Sequence, residues 1–164
     1  MGALGGTGLT GENPMRKLLF IAVTALLAGS ASGIQAKSTH GKWMAGPPGL
    51  PAGSTFRVVS GDPGKAGMFT IRAKLPANYT VPPHHHATDE KVSVKAGGPM
   101  VIGMGDKVDQ ASSASVEKGY HVTMMANMNH WATTTVPTEI EVSAMGPFSI
   151  TYVNPADDPR NAKK

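Results

Sequence analysis

The feature of this chain that most restricts its fold is a series of short β-prone segments separated by Gly- and Pro-rich turns. Eight such segments follow one another, at 55–60, 67–75, 90–96, 99–105, 119–126, 130–136, 138–145 and 148–153. Gly and Pro account for 20 and 13 of the 164 residues, which favours many turns over long helices. Strands recurring about every 8–12 residues with turns between them are typical of an all-β sandwich or barrel.

Two of these segments alternate between apolar and polar residues. Segment 67–75 places Phe69, Ile71, Ala73 and Leu75 on one face, and segment 138–145 does the same with Ile140, Val142 and Ala144. This period of two predicts strands with one buried face. The only candidate helix, 109–118, is short and weakly periodic, so we expect a loop or a single turn there.

Composition excludes several classes of protein. The chain has no cysteine, which excludes a disulfide scaffold, a zinc–thiolate site, an iron–sulfur cluster and a thiol nucleophile. The net charge is only +4, and the basic residues are scattered rather than interleaved with aromatic ones, which argues against a nucleic-acid partner. No G-x-S-x-G, H-E-x-x-H or Walker pattern occurs, so nothing supports serine-hydrolase or nucleotide-hydrolysing activity.

The N-terminal region has the pattern of a secretory signal. Arg16 and Lys17 precede an apolar run at 18–29, and small residues follow as far as Ala36. The run is shorter than the roughly 20 residues that span a bilayer. We therefore predict a signal peptide at 15–36, starting at Met15 and cleaved after Ala36, with Ala31 as the alternative, and a periplasmic or secreted protein.

The whole chain divides into four parts by composition. Residues 1–36 are the N-terminal extension with the signal peptide, 37–54 a flexible Gly/Pro-rich arm, 55–155 one β-barrel domain and 156–164 a polar tail. After cleavage we expect no membrane association.

Candidate metal ligands occur in the stretch PPHHHATDE. Alternate residues of an extended chain share a face, so His84 and His86 project together while His85 points away, and Glu90 has the same parity. Imidazole and carboxylate together are ligands for Fe, Mn, Zn, Ni or Cu rather than Ca or Mg. The fourth donor is expected to be His130, at the start of a later segment, with His121 as its rival.

The residues beside these histidines suggest packing roles. We expect most of the ten methionines, including Met104, Met125 and Met128, to fill the core and the wall of the site, and Trp131 to do the same. A copper-handling role for the methionines is the alternative, because thioethers and imidazoles suit Cu(I).

The spacing of these residues resembles the cupin family. The first cupin motif has a Gly, then His-x-His, a Glu and a closing Gly, which His84, His86, Glu90 and Gly97 match, with Asn78 in place of the leading Gly. Asn78 is able to adopt the same left-handed turn. In the second motif Gly119 and His130 match, whereas Met125, Asn127 and Thr134 replace the usual Pro, Gly and Asn.

The resemblance covers about 69–134 and extends to a subgroup of small exported bacterial cupins. It implies a single jelly-roll β-barrel with little helix. It also implies one divalent transition metal, held by His84, His86, Glu90 and His130 inside the barrel mouth. The metal itself and the catalytic residues stay open.

Two functions fit these features. The first is a small metalloenzyme with oxygenase-like or Lewis-acid chemistry on a small organic substrate, in which Glu90 is a ligand or detaches to act as a base. The second is a non-catalytic exported module that binds a metal or a small ligand. Cupins support many reactions, so the fold does not choose between them. A homodimer is open in either case.

The signal-peptide prediction is testable by sequencing the N-terminus of the exported protein. We expect it to begin near Lys37, because the small residue Ala36 ends the signal pattern. Soluble cytoplasmic protein that retains 15–36 would contradict the prediction.

Overall fold

The computed structural model describes residues 41–162, and the described residues form a two-layered β structure. The predicted signal peptide and His40 lie outside this range. Eleven strands occur within it: β1 (Met44–Ala45), β2 (Thr55–Ser60), β3 (Gly67–Leu75), β4 (Tyr79–His85), β5 (Glu90–Gly97), β6 (Met100–Met104), β7 (Ser113–Val116), β8 (His121–Met124), β9 (His130–Thr134), β10 (Thr138–Gly146) and β11 (Thr151–Tyr152). Helical structure in this range is limited to 3₁₀ turns at Gln110–Ser112, Pro155–Asp157 and Pro159–Asn161, and none of it is long and apolar enough to cross a membrane.

The strands form two antiparallel sheets. The first sheet has the order β1-β2-β3-β10-β5-β8, and the second has the order β11-β4-β9-β6-β7. Strands that are distant in sequence pair within each sheet, and the chain passes repeatedly between the two layers. This architecture confirms the predicted all-β jelly-roll barrel.

The alternating segments form the strands predicted from them. In β3 and β10, Phe69, Ala73, Leu75, Ile140, Val142 and Ala144 are all buried. On the opposite face Arg72 bonds Glu139 (Nη1 to Oε1, 2.8 Å) and Glu141 (Nε to Oε2, 3.0 Å). Burial of the apolar face supplies most of the stability here, because partly exposed ion pairs contribute about 1 kcal/mol or less each.

Three strands were not predicted. Strand β4 contains Pro82 and Pro83, which cannot donate to a ladder, and its pairing with β9 is irregular between Val81 and His84. The two prolines therefore occupy a bulge in a strand that continues to His85. Strand β7 occupies part of 109–118, where only a loop or a turn was expected, and β1 is a two-residue edge strand.

A loop that precedes β2 is fixed to the second sheet. The hydroxyl of Tyr152 donates to the carbonyl of Gly49 (2.8 Å), and the hydroxyl of Tyr79 donates to the carbonyl of Pro51. A Cβ on Gly49 would lie 2.7 Å from Cγ2 of Ile150, so only glycine allows the loop to approach this closely. The loop thereby forms one wall of the barrel interior.

The methionines divide between the interior and the surface. Met100 and Met124 are buried, as expected. The expectation was wrong for Met104, Met125 and Met128, which are 37%, 55% and 44% exposed, because strand β6 ends at Met104 and the other two lie in the turn before β9. Trp131 is fully buried against Gly103, its partner in the β6–β9 ladder.

Replacing Gly103 by alanine should destabilise the fold. The new methyl group would overlap atoms Cε2 and Cζ2 of the Trp131 ring, which has no free space to move into. We expect the free energy of unfolding in urea to fall by about 1–3 kcal/mol. Gly64→Ala is the matched control, because its Cβ would meet only Oδ1 of Asp62 at 3.4 Å. Equal stability of the two variants would contradict the packing described.

Candidate metal centre

Three histidines from the second sheet converge inside the barrel. His84 lies near the end of β4, His86 follows that strand, and His130 begins β9 directly opposite His84 in the ladder. One ring nitrogen from each of the three lies within 4.8 Å of the other two. All three side chains are buried, so the predicted convergence of these histidines is present in the fold.

Glu90 reaches the same point from the first sheet. It begins β5, and its Oε2 lies 3.5 Å from Nε2 of His86 and 3.5 Å from Nε2 of His130. Its side chain is also buried. The four predicted residues therefore form one cluster between the two layers.

Hydrogen bonds to backbone carbonyls orient each imidazole. Nδ1 of His84 lies 2.7 Å from the carbonyl of Pro82, Nδ1 of His86 lies 2.7 Å from that of Ser149, and Nδ1 of His130 lies 2.9 Å from that of Met128. Because a carbonyl only accepts, each Nδ1 carries a proton, so the lone pair that a neutral ring offers to a ligand is the one on Nε2.

The lone pairs so defined include two that are buried without a partner. Among the described residues, Nε2 of His86 and Nε2 of His130 make no hydrogen bond. A buried polar atom without a hydrogen-bond partner raises the free energy of the folded state, and coordination of a metal ion would remove this penalty. The tautomers and the two unpartnered nitrogens thus fit a metal ion coordinated through Nε2.

The charge of the cluster also suits a cation. Burial opposes ionisation of Glu90, but His130 and His86 outweigh it and lower the pKa of Glu90 from 4.5 to about 2. Burial, aided by His130, lowers the pKa of His84 from 6.5 to about 3. Burial acts to lower the pKa of His86 too, but Glu90 and the carbonyl of Ser149 raise it above 6.5 overall. One carboxylate beside imidazoles that bind metals when neutral is a donor set for divalent transition metals.

The turn before His130 is fixed at its backbone. Oδ1 of Asp89 accepts from the amide of Ala126 (2.8 Å), the carbonyl of His86 accepts from the amide of Asn127 (2.8 Å), and the amide of Gly105 donates to the carbonyl of Asn129 (2.7 Å). This turn carries the carbonyl of Met128 that orients His130. Its rigidity therefore determines where the His130 ring points.

Two consecutive side-chain hydrogen bonds support the same turn from outside the barrel. Nδ1 of His85 donates to Oδ1 of Asn129 (3.0 Å), and Nδ2 of Asn129 donates to Oδ1 of Asp106 (2.6 Å). His85 thus takes no part in the buried cluster, as its parity predicted. The roles of Asn129 and Asp106 were not predicted, and no spacing in the sequence marks them.

The motif departures are accommodated by backbone geometry. Asn78 and Asn127 stand where cupins have glycine, and both adopt positive φ, 56° and 61°, like Gly97 and Gly119 at 85° and 92°. Asparagine tolerates the left-handed region better than other side chains, so the turns survive the substitutions. The left-handed turn predicted for Asn78 is confirmed. His121, the rival ligand, is exposed on β8 and distant from the cluster in the ladder.

The cluster borders a cavity of about 530 Å³. Most of its wall is aliphatic, from residues such as Leu50, Ile71, Met100 and Ile140. Phe148 stacks on the ring of His86 with centroids 4.3 Å apart. The cavity is large enough for a small organic molecule. Its wall is mostly apolar, and the histidines and Glu90 form its polar end.

No protein-family profile matches the chain, and no curated protein sequence matches it. Several solved structures are similar to it in fold. The polyketide cyclase RemF from Streptomyces resistomycificus aligns over 65% of this chain and 75% of its own, with 21% identity and a TM-score of 0.54. The DMSP lyase DddQ from Ruegeria pomeroyi DSS-3 aligns over 68% of this chain and 60% of its own, with 18% identity and a TM-score of 0.54.

These neighbours are cupin-fold proteins, and the two-sheet barrel matches them. This chain therefore has the cupin fold. The similarity in structure extends to the fold, and the site rests on the residues described above.

The buried His84 predicts a pH dependence for the stability of the metal-free protein. Because its pKa is 6.5 when unperturbed and about 3 in the fold, the unfolded chain binds a proton between these values that the folded chain does not. Stability should therefore fall as the pH falls from 6 to 5, by on the order of 1 kcal/mol per pH unit. His86, whose pKa is raised, opposes this trend near pH 6.5 and above, because the folded protein holds that proton more tightly than the unfolded chain. Glu90 adds to the fall, mainly below pH 5, because its pKa drops from 4.5 to about 2 on folding.

The measurement is urea unfolding in the presence of a chelator. His84→Gln should flatten the slope, whereas His121→Gln, on the exposed face of β8, should leave it unchanged. A slope that is the same in all three proteins would contradict the assignment of His84 as a buried neutral imidazole.

Proposed function

We propose that this chain is an exported metalloprotein that binds one divalent transition metal through His84, His86, His130 and Glu90 and acts on a small organic molecule. The observation that carries the proposal is the orientation of the three imidazoles. Their Nδ1 atoms are engaged by carbonyls, and their Nε2 atoms are directed at the point that the Glu90 carboxylate also approaches. Support for export comes from the signal pattern at 15–36.

Four protein donors leave one or two positions free on a five- or six-coordinate ion. A bound ion would supply Lewis acidity or, for iron or manganese, redox chemistry. The chain itself would hold the ion, keep Glu90 ionised, direct Nε2 of each imidazole to the ion, and surround the reacting molecule with aliphatic side chains that exclude water.

The cavity favours an enzyme over a purely structural metal site. A structural site is closed by its protein ligands, whereas this cluster lies beside about 530 Å³ of largely apolar space. The neighbours RemF and DddQ are named as a cyclase and a lyase, which are different reactions on one fold. The reaction type therefore stays outside the proposal.

Elemental analysis of protein purified without chelators tests the metal site. We expect about one transition-metal ion per chain in the unmodified protein. His86→Ala should remove most of it, because one of the two unpartnered Nε2 atoms is lost. His121→Ala is the matched control, since that imidazole is exposed and outside the cluster. Equal metal content in all three proteins would exclude the proposed site.

A further inference from the structure

The C-terminal segment brings a cation to the cavity. Residues 155–161 contain two short 3₁₀ turns, with the side chains of Asn154 and Asp158 capping them. The second turn places Arg160 in the wall of the cavity, beside Gly49 and Ile150. Among the described residues, Arg160 is the only lysine or arginine in that wall.

The guanidinium of Arg160 is fixed on one side and free on the other. Nε donates to Oδ1 of Asp158 (2.8 Å), and Nη2 donates to Oδ2 of Asp158 (2.7 Å) and to the carbonyl of Ile150 (2.9 Å). These bonds use three of the five N–H groups of an arginine. The two on Nη1 have no acceptor among the residues of the described chain.

Arg72 shows the contrast. Its Nε and Nη1 are both paired with glutamates on the outer face of the first sheet, and Arg72 does not line the cavity beside the histidines. Arg160, whose side chain is 45% exposed, instead uses Nε and Nη2 to hold its position and leaves Nη1 beside Gly49 in the cavity wall. A guanidinium fixed in this way is pre-organised, so a ligand loses little side-chain entropy when it binds there.

The rest of the cavity wall restricts the chemistry of a molecule that Arg160 binds. It is almost entirely apolar, and the other charged group in it, Glu90, belongs to the metal cluster. The carbonyl of Ile150, which accepts from Arg160, is adjacent in sequence to the carbonyl of Ser149, which accepts from His86. One molecule inside the cavity therefore has an anion-binding group and the metal cluster on neighbouring parts of the same wall.

We propose that the substrate class of this site is an organic acid with an apolar body, whose carboxylate accepts hydrogen bonds from Nη1 of Arg160. This inference rests on the proposed function for the location of the site, and it adds the chemistry of the ligand. Asp158 acts as a positioning residue, because it holds the guanidinium and is not part of the cavity wall.

Calorimetric titration with octanoate and with 1-octanol tests the inference. The two probes share an apolar chain and differ in the carboxylate. The full chain, with its metal content measured, should bind octanoate at least about tenfold more tightly than octanol, as expected for hydrogen bonds between charged partners. No measurable octanoate binding, or equal binding of both probes, would overturn the proposal.

Variants test whether Arg160 causes the preference for octanoate over octanol. Arg160→Gln should weaken octanoate binding about 10- to 100-fold and leave octanol binding unchanged. Arg160→Lys should recover part of the preference, since it restores charge without the planar fork. Arg72→Gln is the matched control and should behave like the unmodified protein. Retention of the full preference in Arg160→Gln would overturn the assignment.

His86→Ala separates this inference from the metal site. If the preference for octanoate survives in His86→Ala and is lost in Arg160→Gln, Arg160 recognises the acid even where the metal is absent, and the inference stands. If the preference is lost in His86→Ala and kept in Arg160→Gln, the metal recognises the acid and the inference fails. Arg160-dependent binding by the unmodified protein, if that protein holds no metal as purified, would contradict the proposed function and leave this inference intact.

Discussion

The arrangement of this site depends on three hydrogen bonds between imidazole Nδ1 atoms and backbone carbonyls. Each bond selects one tautomer and one ring orientation, and together they direct three lone pairs inward. The acceptors belong to the bulge of β4, to the segment before β11 and to the turn before β9. A shift in any of these would move one of the imidazoles, so the conformation of these loops matters as much to the site as the histidines themselves.

The bulge shows how this dependence arises from sequence. Pro82 and Pro83 cannot take part fully in a ladder, so β4 leaves regular pairing with β9 between Val81 and His84. The same irregularity frees the carbonyl of Pro82, which accepts from His84. Two residues that hid the strand from a sequence-based prediction thus provide part of the support for the site.

Much of this could be predicted, for identifiable reasons. Alternation identified β3 and β10 because one face of each is buried, and motif spacing placed His84, His86, Glu90 and His130 together. Local sequence patterns do not reveal contacts between residues that are far apart in the chain. The carbonyl of Ser149 meets His86 from 63 residues away, Asn129 bridges His85 to Asp106, and Arg160 reaches the cavity from a stretch whose composition indicated only a polar tail.

The residues of the proposed metal site come from both layers: His84 and His130 lie in the second sheet, His86 follows its strand β4 directly, and Glu90 lies in the first. The complete donor set exists only after the layers have associated, because no stretch of the unfolded chain contains it. Acquisition of an ion at the proposed site would therefore follow folding, and the compartment in which the chain folds would decide which metals compete for it. Selectivity among ions that suit these donors would then be a matter of local supply as much as of coordination chemistry.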